Sequence, residues 1–243
     1  MSIYLKKFET HNEYETYIAS EGKILPNVSF CKDDMDVHYN PYVGTPKVEL
    51  KYYVSSDDLG NDIKIFHMAY SVPFETMEVD GVLLDSVEST YRFDTEGIHT
   101  VKLTLPEGGT VLKGFYGCSN LIEVKIPNII TSIGEDAFSG CYSLVSITIP
   151  ESVTNIEYYA FYGCYELTSA IIPNSMTNIG HDAFFNCQGL TFITINATTP
   201  PTLGGDAFGD TNNCPINVPS ESVETYKSAE SWSVYANRIQ AIS

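Results

Sequence analysis

The sequence predicts a mainly β protein, with a small N-terminal β-sandwich joined to a C-terminal solenoid of 23-residue repeats. Upstream, residues 47–105 carry short alternating apolar runs separated by Gly, Asp, Ser and Pro, which favours antiparallel strands. Downstream, residue types recur at a fixed period, which is typical of stacked turns that cannot bury their apolar faces singly. The period of 23 holds for Phe115, Phe138, Phe161 and Phe184, for Cys118, Cys141, Cys164 and Cys187, and for Leu121, Leu144, Leu167 and Leu190.

Composition restricts the class of partner. The chain has 243 residues, which suggests two folding units, and 43% hydrophobic residues supply enough apolar side chains for a core. Its 31 acidic and 13 basic residues give a net charge of -18. Such a surface repels phosphate backbones and anionic lipid headgroups, which argues against nucleic acid and against direct membrane insertion.

Residues 1–46 predict a helix followed by a β-hairpin. Thr10 and Glu13 fit a capping box, and "VSFC" and "VHYN" flank an acidic turn. The turn lacks the regular carboxylate spacing of a calcium loop, so we expect a solvated loop tip rather than a metal site. Its acidic residues are Asp33, Asp34 and Asp36.

Residues 47–105 form the predicted sandwich. The stretch "TYRFDTEGIHTVKLTL" is similar to the closing hairpin of Ig-like modules in bacterial surface proteins. Residues 99–114 read as a truncated first turn of the solenoid. We therefore expect the sandwich to pass directly into the solenoid and to shield its leading end.

One repeat illustrates the predicted turn. "LVSITIP" begins at Leu144 and predicts a strand with Leu144, Ile147 and Ile149 facing inward, ended by a proline. "SVTNI" then returns along the turn, and "YYAFYGC" forms the corner. Phe161 and Cys164 are expected to lie inside this corner.

The pattern "AFxGCxxLxxIxIPxSVTxI" resembles the BspA-like, or Treponema-type, leucine-rich repeat of bacterial surface proteins. It occurs at 137–156 and 160–179, with related copies at 114–136 and 183–206. The resemblance implies a leucine-rich-repeat solenoid over 106–212 and a capping segment over 213–243. The side chains expected to cover the last turn are Val223, Tyr226, Trp232, Tyr235 and Ile239.

The six cysteines and five histidines favour packing over chemistry. No two cysteines lie within the two to four residues that paired zinc ligands use, and the histidines form no HExxH motif. We expect the four periodic thiols to be buried and free. A disulfide between Cys31 and Cys214 is kept as an alternative for the other two cysteines. P-loop, GxGxxG and GxSxG motifs are also missing. The sequence therefore predicts no enzyme, no cofactor and no metal site.

Outward positions on the repeat strands predict a contact surface, because a solenoid presents neighbouring strands as one array. Tyrosines on the corners add rigid area with a polar tip, although they could stack only on each other. The predicted contact residues are Glu123, Lys125, Ser146, Thr148, Ser169, Ile171, Phe192, Thr194, Tyr142 and Tyr165. Further corner tyrosines are Tyr116, Tyr158, Tyr159 and Tyr162.

The resemblance implies a noncatalytic binding protein that recognises a host or microbial surface protein or glycan, at the cell surface or secreted. The chain starts without an apolar signal segment. An alternative is therefore a structural or receptor-binding component of a phage or prophage particle, where no signal is needed. Hydrolysis of a surface glycan is a third class, and it would require two facing carboxylates in a cleft.

Overall fold

The computed structural model describes residues 28–30, 37–39, 45–68 and 73–242. The chain divides into two compact units, Met1–Pro46 and Lys47–Ser243. In the first unit, β1 (Val28–Phe30) pairs antiparallel with β2 (Val37–Tyr39), which confirms the predicted strand pairing. The predicted helix, the acidic turn and Cys31 lie outside the described residues.

The second unit begins with strands that are mostly antiparallel neighbours. They are β3 (Lys47–Val54), β4 (Ile63–Lys64), β5 (Met77–Val79), β6 (Val82–Leu83), β7 (Thr90–Tyr91) and β8 (Gly97–Thr104), with a one-turn 3-10 helix at Ser56–Asp58. β3, β8, β5 and β6 form one sheet in that order, and β4 and β7 form a separate two-stranded sheet. In β3, alternate side chains from Val48 to Val54 are buried. Among the described residues, the Ig-like sandwich predicted over 47–105 is not shown.

The rest of the second unit is a β-solenoid of about six turns, built from six longer and five shorter strands. The longer strands are β10 (Leu121–Lys125), β12 (Ser146–Thr148), β14 (Ser169–Ile172), β16 (Phe192–Ile195), β18 (Ile216–Val218) and β19 (Ile239–Ala241). The shorter ones are β9 (Val111–Leu112), β11 (Ser132–Ile133), β13 (Asn155–Ile156), β15 (Asn178–Ile179) and β17 (Thr202–Leu203). The five shorter strands form one parallel sheet.

The longer strands divide between two sheets. β14, β16, β18 and β19 pair in parallel, whereas β12 and β10 continue the N-terminal antiparallel sheet. β3 lies between β8 and β10 and pairs antiparallel with both. The prediction that 99–114 forms a truncated first turn is therefore wrong in part, because only β9 joins a solenoid stack. An unpaired strand edge exposes backbone donors and acceptors, so β3 protects the leading edge of the solenoid.

The interior consists of two aligned ladders. The rings of Phe115, Phe138, Phe161, Phe184 and Phe208 stack with centroids 4.9 to 5.6 Å apart. The four periodic thiols lie beside them, each fully buried and free, as predicted. Within the second unit, the repeat side chains thus share one continuous apolar core with strands β3, β5 and β8.

The C-terminal segment covers the last turn. It contains 3-10 turns at Ser220–Ser222 and Ser233–Tyr235, and helix α1 (Val223–Ser228) between them. Tyr226 and Trp232 are buried and donate hydrogen bonds of 2.8 Å to backbone carbonyl oxygens of the preceding turn. Burying two amphipathic rings with their polar atoms paired closes an end that would otherwise expose apolar surface.

No helix within the described residues is long and apolar enough to cross a bilayer.

Candidate recognition surfaces

The longer strands align the predicted contact residues in rows. Ser169 lies opposite Phe192, and Ile171 lies opposite Thr194, across the parallel pair β14–β16. The residues between them on each strand are buried, since successive side chains of a strand point to opposite faces. Across β10–β12 the aligned pairs are Glu123 with Ser146 and Lys125 with Thr148. All eight side chains are exposed or half-buried, and we name them the outward strand face.

The outward strand face has a break in its backbone pairing. β12 ends one sheet and β14 begins the other, so no ladder joins them. A single-residue link remains, in which Thr168 N donates to the carbonyl oxygen of Val145 across 3.1 Å. The face therefore consists of two halves, β10–β12 and β14–β16, whose strands pair within each half but not between the halves.

The two halves differ in chemistry. In the first half, Lys51 of β3 contacts the Glu123 carboxylate at 2.9 Å, and this hydrogen bond raises the pKa of Lys51. Lys125 lies opposite Glu49 in the same sheet. In the second half, the apolar side chains of Ile171 and Phe192 are 52% and 38% exposed. An exposed apolar pair on a rigid sheet favours contact with a partner, whereas the charged half is partly satisfied within the protein.

Tyr142 and Tyr165 form a second exposed feature on adjacent turns. Their rings stack with centroids 5.2 Å apart and an interplanar angle of 10°. The Tyr165 hydroxyl accepts a hydrogen bond from Asn186 Nδ2 at 3.2 Å, and Gln188 Nε2 donates to Asn186 Oδ1 at 2.7 Å. Both rings remain exposed, so stacking on each other leaves an aromatic surface beside an amide network.

A groove runs across the repeat corners, with a volume of about 680 Å³. It is lined by His67, Tyr116, Asp136, Ser139, Tyr159, Tyr162, Asp182 and Phe185. We name it the corner groove. None of these side chains is among the predicted contact residues, although Tyr116, Tyr159 and Tyr162 are among the predicted corner tyrosines. The sequence signal for the two carboxylates is the repeat register, because Asp136 and Asp182 lie two residues before Phe138 and Phe184, which are two repeats apart.

The thiols are not placed for chemistry. Burial raises the pKa of Cys118 to about 12, and burial also holds the pKa values of Cys141 and Cys164 well above the usual range. A thiolate is the reactive form, so these side chains are inert in the folded protein. Within the described ranges, no group of three or more His, Cys, Asp or Glu side chains is arranged to hold a metal ion.

Three solved structures illustrate what the chain resembles. The leucine rich repeat protein of T. pallidum is 32% identical over 47% of this chain and 52% of that one, with a TM-score of 0.42. A leucine rich cell surface protein of Faecalibacterium prausnitzii is 44% identical over 36% and 23%, with a TM-score of 0.35. The pneumococcal vaccine antigen PcpA is 22% identical over 56% and 38%, with a TM-score of 0.41. The chain thus spans about half of the T. pallidum protein and less of the other two.

No curated protein matches the sequence significantly. The family described as the BspA type leucine rich repeat region matches in 6 copies over residues 112–232. This range contains the stacked phenylalanines, the buried thiols and the paired repeat strands. Such solenoids are typically binding scaffolds rather than enzymes. Residues 112–232 of this protein therefore match the BspA-type leucine-rich repeat region, in sequence pattern and in the pairing of their strands.

Proposed function

We propose that this protein is a noncatalytic recognition protein of the bacterial cell surface that binds a surface protein or glycan of a host or another microbe. In this proposal, residues 106–212 form the recognition solenoid and residues 213–243 form its cap. The outward strand face and the Tyr142–Tyr165 pair make the contact.

The exposure of Ile171 and Phe192 on the outward strand face carries the proposal. Their neighbours on the same strands, Ala170 and Ile193, are fully buried in the core, so the backbone positions are fixed. A partner that covers Phe192 gains burial of apolar area without ordering a loop, which keeps the entropic cost of binding low. The stacked tyrosines supply a second rigid surface with polar tips.

The experiment is binding of the full chain to glycan and host-protein arrays, repeated with Phe192→Ala, Ile171→Ala and Tyr165→Ala. Val234→Ala is the matched control, because Val234 is an exposed apolar side chain on the cap. We expect the control to bind as the unmodified protein does. Loss of a central contact residue weakens binding by more than about 1 kcal/mol, or roughly fivefold.

Equal array signals for all four variants would contradict the proposed contact surface. The surface location is tested separately, by labelling intact cells of the source bacterium with an antibody against the solenoid. Labelling that requires prior cell lysis would contradict the cell-surface location but would leave the result of the binding arrays unchanged.

A further inference from the structure

The last corner of the solenoid is longer than the corners before it. In the earlier turns the ladder cysteine follows the ladder phenylalanine by three positions, as Cys187 follows Phe184. In the last turn the corresponding cysteine, Cys214, follows Phe208 by six positions, and the stretch between them is "GDTNN". Both Phe208 and Cys214 are buried, so the insertion changes the surface of this turn and leaves its core in place. Insertions in single repeats commonly form loops on the binding side of a solenoid.

The insertion forms part of a pocket with a volume of about 440 Å³, which we name the amide pocket. It is lined by Gln188, Asp210, Thr211, Asn212 and Asn213. Gln188 belongs to the preceding turn, so the pocket is shared between two turns. Its volume is that of a small-molecule site, for which about 300 to 1,000 Å³ is usual. Because every lining residue is polar, the pocket suits a ligand rich in hydrogen-bonding groups.

Hydrogen bonds hold the inserted loop in place. Thr211 Oγ1 donates to the carbonyl oxygen of Phe208 across 2.9 Å and accepts a hydrogen bond from Arg238 Nη2 across 2.8 Å. The side-chain amide of Asn212 donates to the carbonyl oxygen of Gln188, which ties the loop to the preceding turn. A ligand therefore meets a loop that is already ordered, and this keeps the entropic cost of binding low.

Several polar groups of the amide pocket are available to a ligand. Among the residues that the structure describes, the Asp210 carboxylate and the Asn213 side-chain amide make no hydrogen bond or ion pair. Asn212 and Gln188 use their amide nitrogens as donors, which leaves the oxygens of both side chains as acceptors. The carboxylate only accepts hydrogen bonds, whereas the Asn213 amide both donates and accepts them. Hydroxyl groups also do both, so a polyhydroxylated ligand matches this set.

The amide pocket is connected to the Tyr142–Tyr165 pair by hydrogen-bonded side chains. Gln188 Nε2 donates to Asn186 Oδ1 across 2.7 Å, and Asn186 Nδ2 donates to the Tyr165 hydroxyl across 3.2 Å. Tyr142, Tyr165 and Gln188 each follow a ladder cysteine, so they occupy the same position in three successive turns. The tyrosine side chains are 50% and 41% exposed. Aromatic surface beside amides and a carboxylate suits a carbohydrate, which presents both C–H groups and hydroxyl groups.

We propose that the amide pocket binds one sugar unit of a neutral oligosaccharide, with the neighbouring units contacting the Tyr142–Tyr165 pair. Asp210 and Asn213 form the hydrogen bonds to the sugar hydroxyl groups. The net charge of -18 repels sialylated and sulfated sugars, which favours a neutral ligand. Calcium fits less well, because it takes about six to eight oxygen ligands and Asp210 is the one carboxylate among the described residues that line the pocket. The inference rests on the proposed function, whose partner it narrows to a neutral glycan.

The test applies the full chain to an array of neutral, sialylated and sulfated oligosaccharides. The neutral oligosaccharide with the strongest signal is then titrated by calorimetry. Asp210→Asn removes the acceptor charge and Asn213→Gly removes the amide, and both replacements tolerate the left-handed backbone there, where φ is 48° and 53°. Asp206→Asn and Ser231→Gly are the matched controls, since both residues are exposed, have φ values of 52° and 63°, and lie outside the pocket lining. Circular dichroism melting confirms that each variant is folded.

We expect a neutral oligosaccharide to bind, with affinity reduced about fivefold or more in Asp210→Asn and in Asn213→Gly. The two controls should change affinity less than about twofold. Array signals from sialylated or sulfated sugars alone would overturn the proposal. Binding that is lost when EDTA removes calcium would also overturn it, because the side chains would then not recognise the hydroxyl groups directly.

Failure of the amide pocket is distinguishable from failure of the proposed function. Equal affinity in all four variants, with loss in Phe192→Ala or Tyr165→Ala, would refute the pocket and leave the proposed function standing. Binding to host proteins but to no glycan would have the same meaning. Absence of binding to both the glycan and the host-protein arrays would overturn the two together.

Discussion

The Cys141 thiol donates a hydrogen bond to the backbone carbonyl oxygen of Phe115, one turn earlier, across 3.0 Å. Cys164 and Cys187 repeat this contact with Phe138 and Phe161, across 3.2 and 3.1 Å. The two sequence ladders are thus connected through the backbone. Cysteine suits the position because it packs as a small apolar side chain and still carries a weak donor for a buried carbonyl.

The buried thiols make stability depend on alkaline pH. The pKa of Cys118 is raised from 9.0 to about 12 by burial, so the folded protein keeps this proton where the unfolded chain loses it. The stabilisation is complete below pH 9 and decreases as the pH rises towards 12, by up to about 1.4 kcal/mol per pH unit. Between about pH 8 and about pH 10, the unfolding free energy should fall by about 1 kcal/mol more in the unmodified protein than in Cys118→Ala. Urea unfolding at both pH values measures this difference, and identical pH dependence would contradict it.

Tyr52 stabilises the junction between the N-terminal sheet and the solenoid. Its side chain is fully buried, and its hydroxyl donates to the carbonyl oxygen of Ile65 across 2.7 Å. Tyr52→Phe should reduce the free energy of unfolding by about 1 to 2 kcal/mol. The substitution leaves the buried carbonyl oxygen of Ile65 with only the weaker donor, the Cys118 thiol, at 3.4 Å. Tyr53→Phe is the matched control, since that neighbour is 52% exposed, and should cost less than about 0.5 kcal/mol. Comparable losses in the two variants would refute the role of this hydrogen bond.

Two glycines of the same repeat position test how closely the turns approach. A Cβ atom on Gly204 would lie 2.2 Å from the backbone nitrogen of His181, whereas a Cβ on Gly134 would lie 3.2 Å from the nearest side-chain atoms. Gly204→Ala should therefore destabilise the protein by more than about 3 kcal/mol, because backbone must move. Gly134→Ala should change stability by about 1 kcal/mol or less. Thermal melting of both variants checks this contrast, which fails if the two melting temperatures agree.

Arg238 holds the C-terminal cap to the last turns. Its guanidinium donates to the carbonyl oxygens of Phe208 and Cys214, across 3.0 and 2.9 Å, and to Thr211 Oγ1 across 2.8 Å. Arg238→Met keeps the aliphatic length and removes all three donated hydrogen bonds, while Thr211 Oγ1 still donates to the Phe208 carbonyl oxygen across 2.9 Å. We expect a loss of about 2 to 4 kcal/mol in the free energy of unfolding. Hydrogen exchange should rise first in residues 206–242. Lys227→Met, in an exposed pair with Glu224, should leave exchange unchanged. An increase in hydrogen exchange that is equal across the whole solenoid in Arg238→Met would contradict a local role for this side chain.

The repeated turn was predictable from the sequence because its signal is local. Phe138 and Phe161, Cys141 and Cys164, and Leu144 and Leu167 are all placed inside by the 23-residue period, and all are buried. Alternation likewise predicted that Ile171 and Phe192 face outward. The stacked Tyr142–Tyr165 pair follows from equal positions in neighbouring turns.

Pairing over long distances was not predictable in the same way. β3 inserts between β8 and β10, an arrangement that depends on which distant strand covers an open edge rather than on local alternation. The break between β12 and β14 is equally absent from the repeat pattern. Both features depend on the order of strands in a sheet, which the local sequence of either strand does not specify.

The amino-acid sequence alone determined the repeat length, the inward ladders and the exposed rows, since periodicity fixes which side chain faces the interior of each turn. Only the tertiary structure decided that β3 covers the leading edge and that Lys51 partners Glu123. These relationships depend on side chains brought together from different turns and strands. Their distances are set by packing, which a linear pattern does not contain.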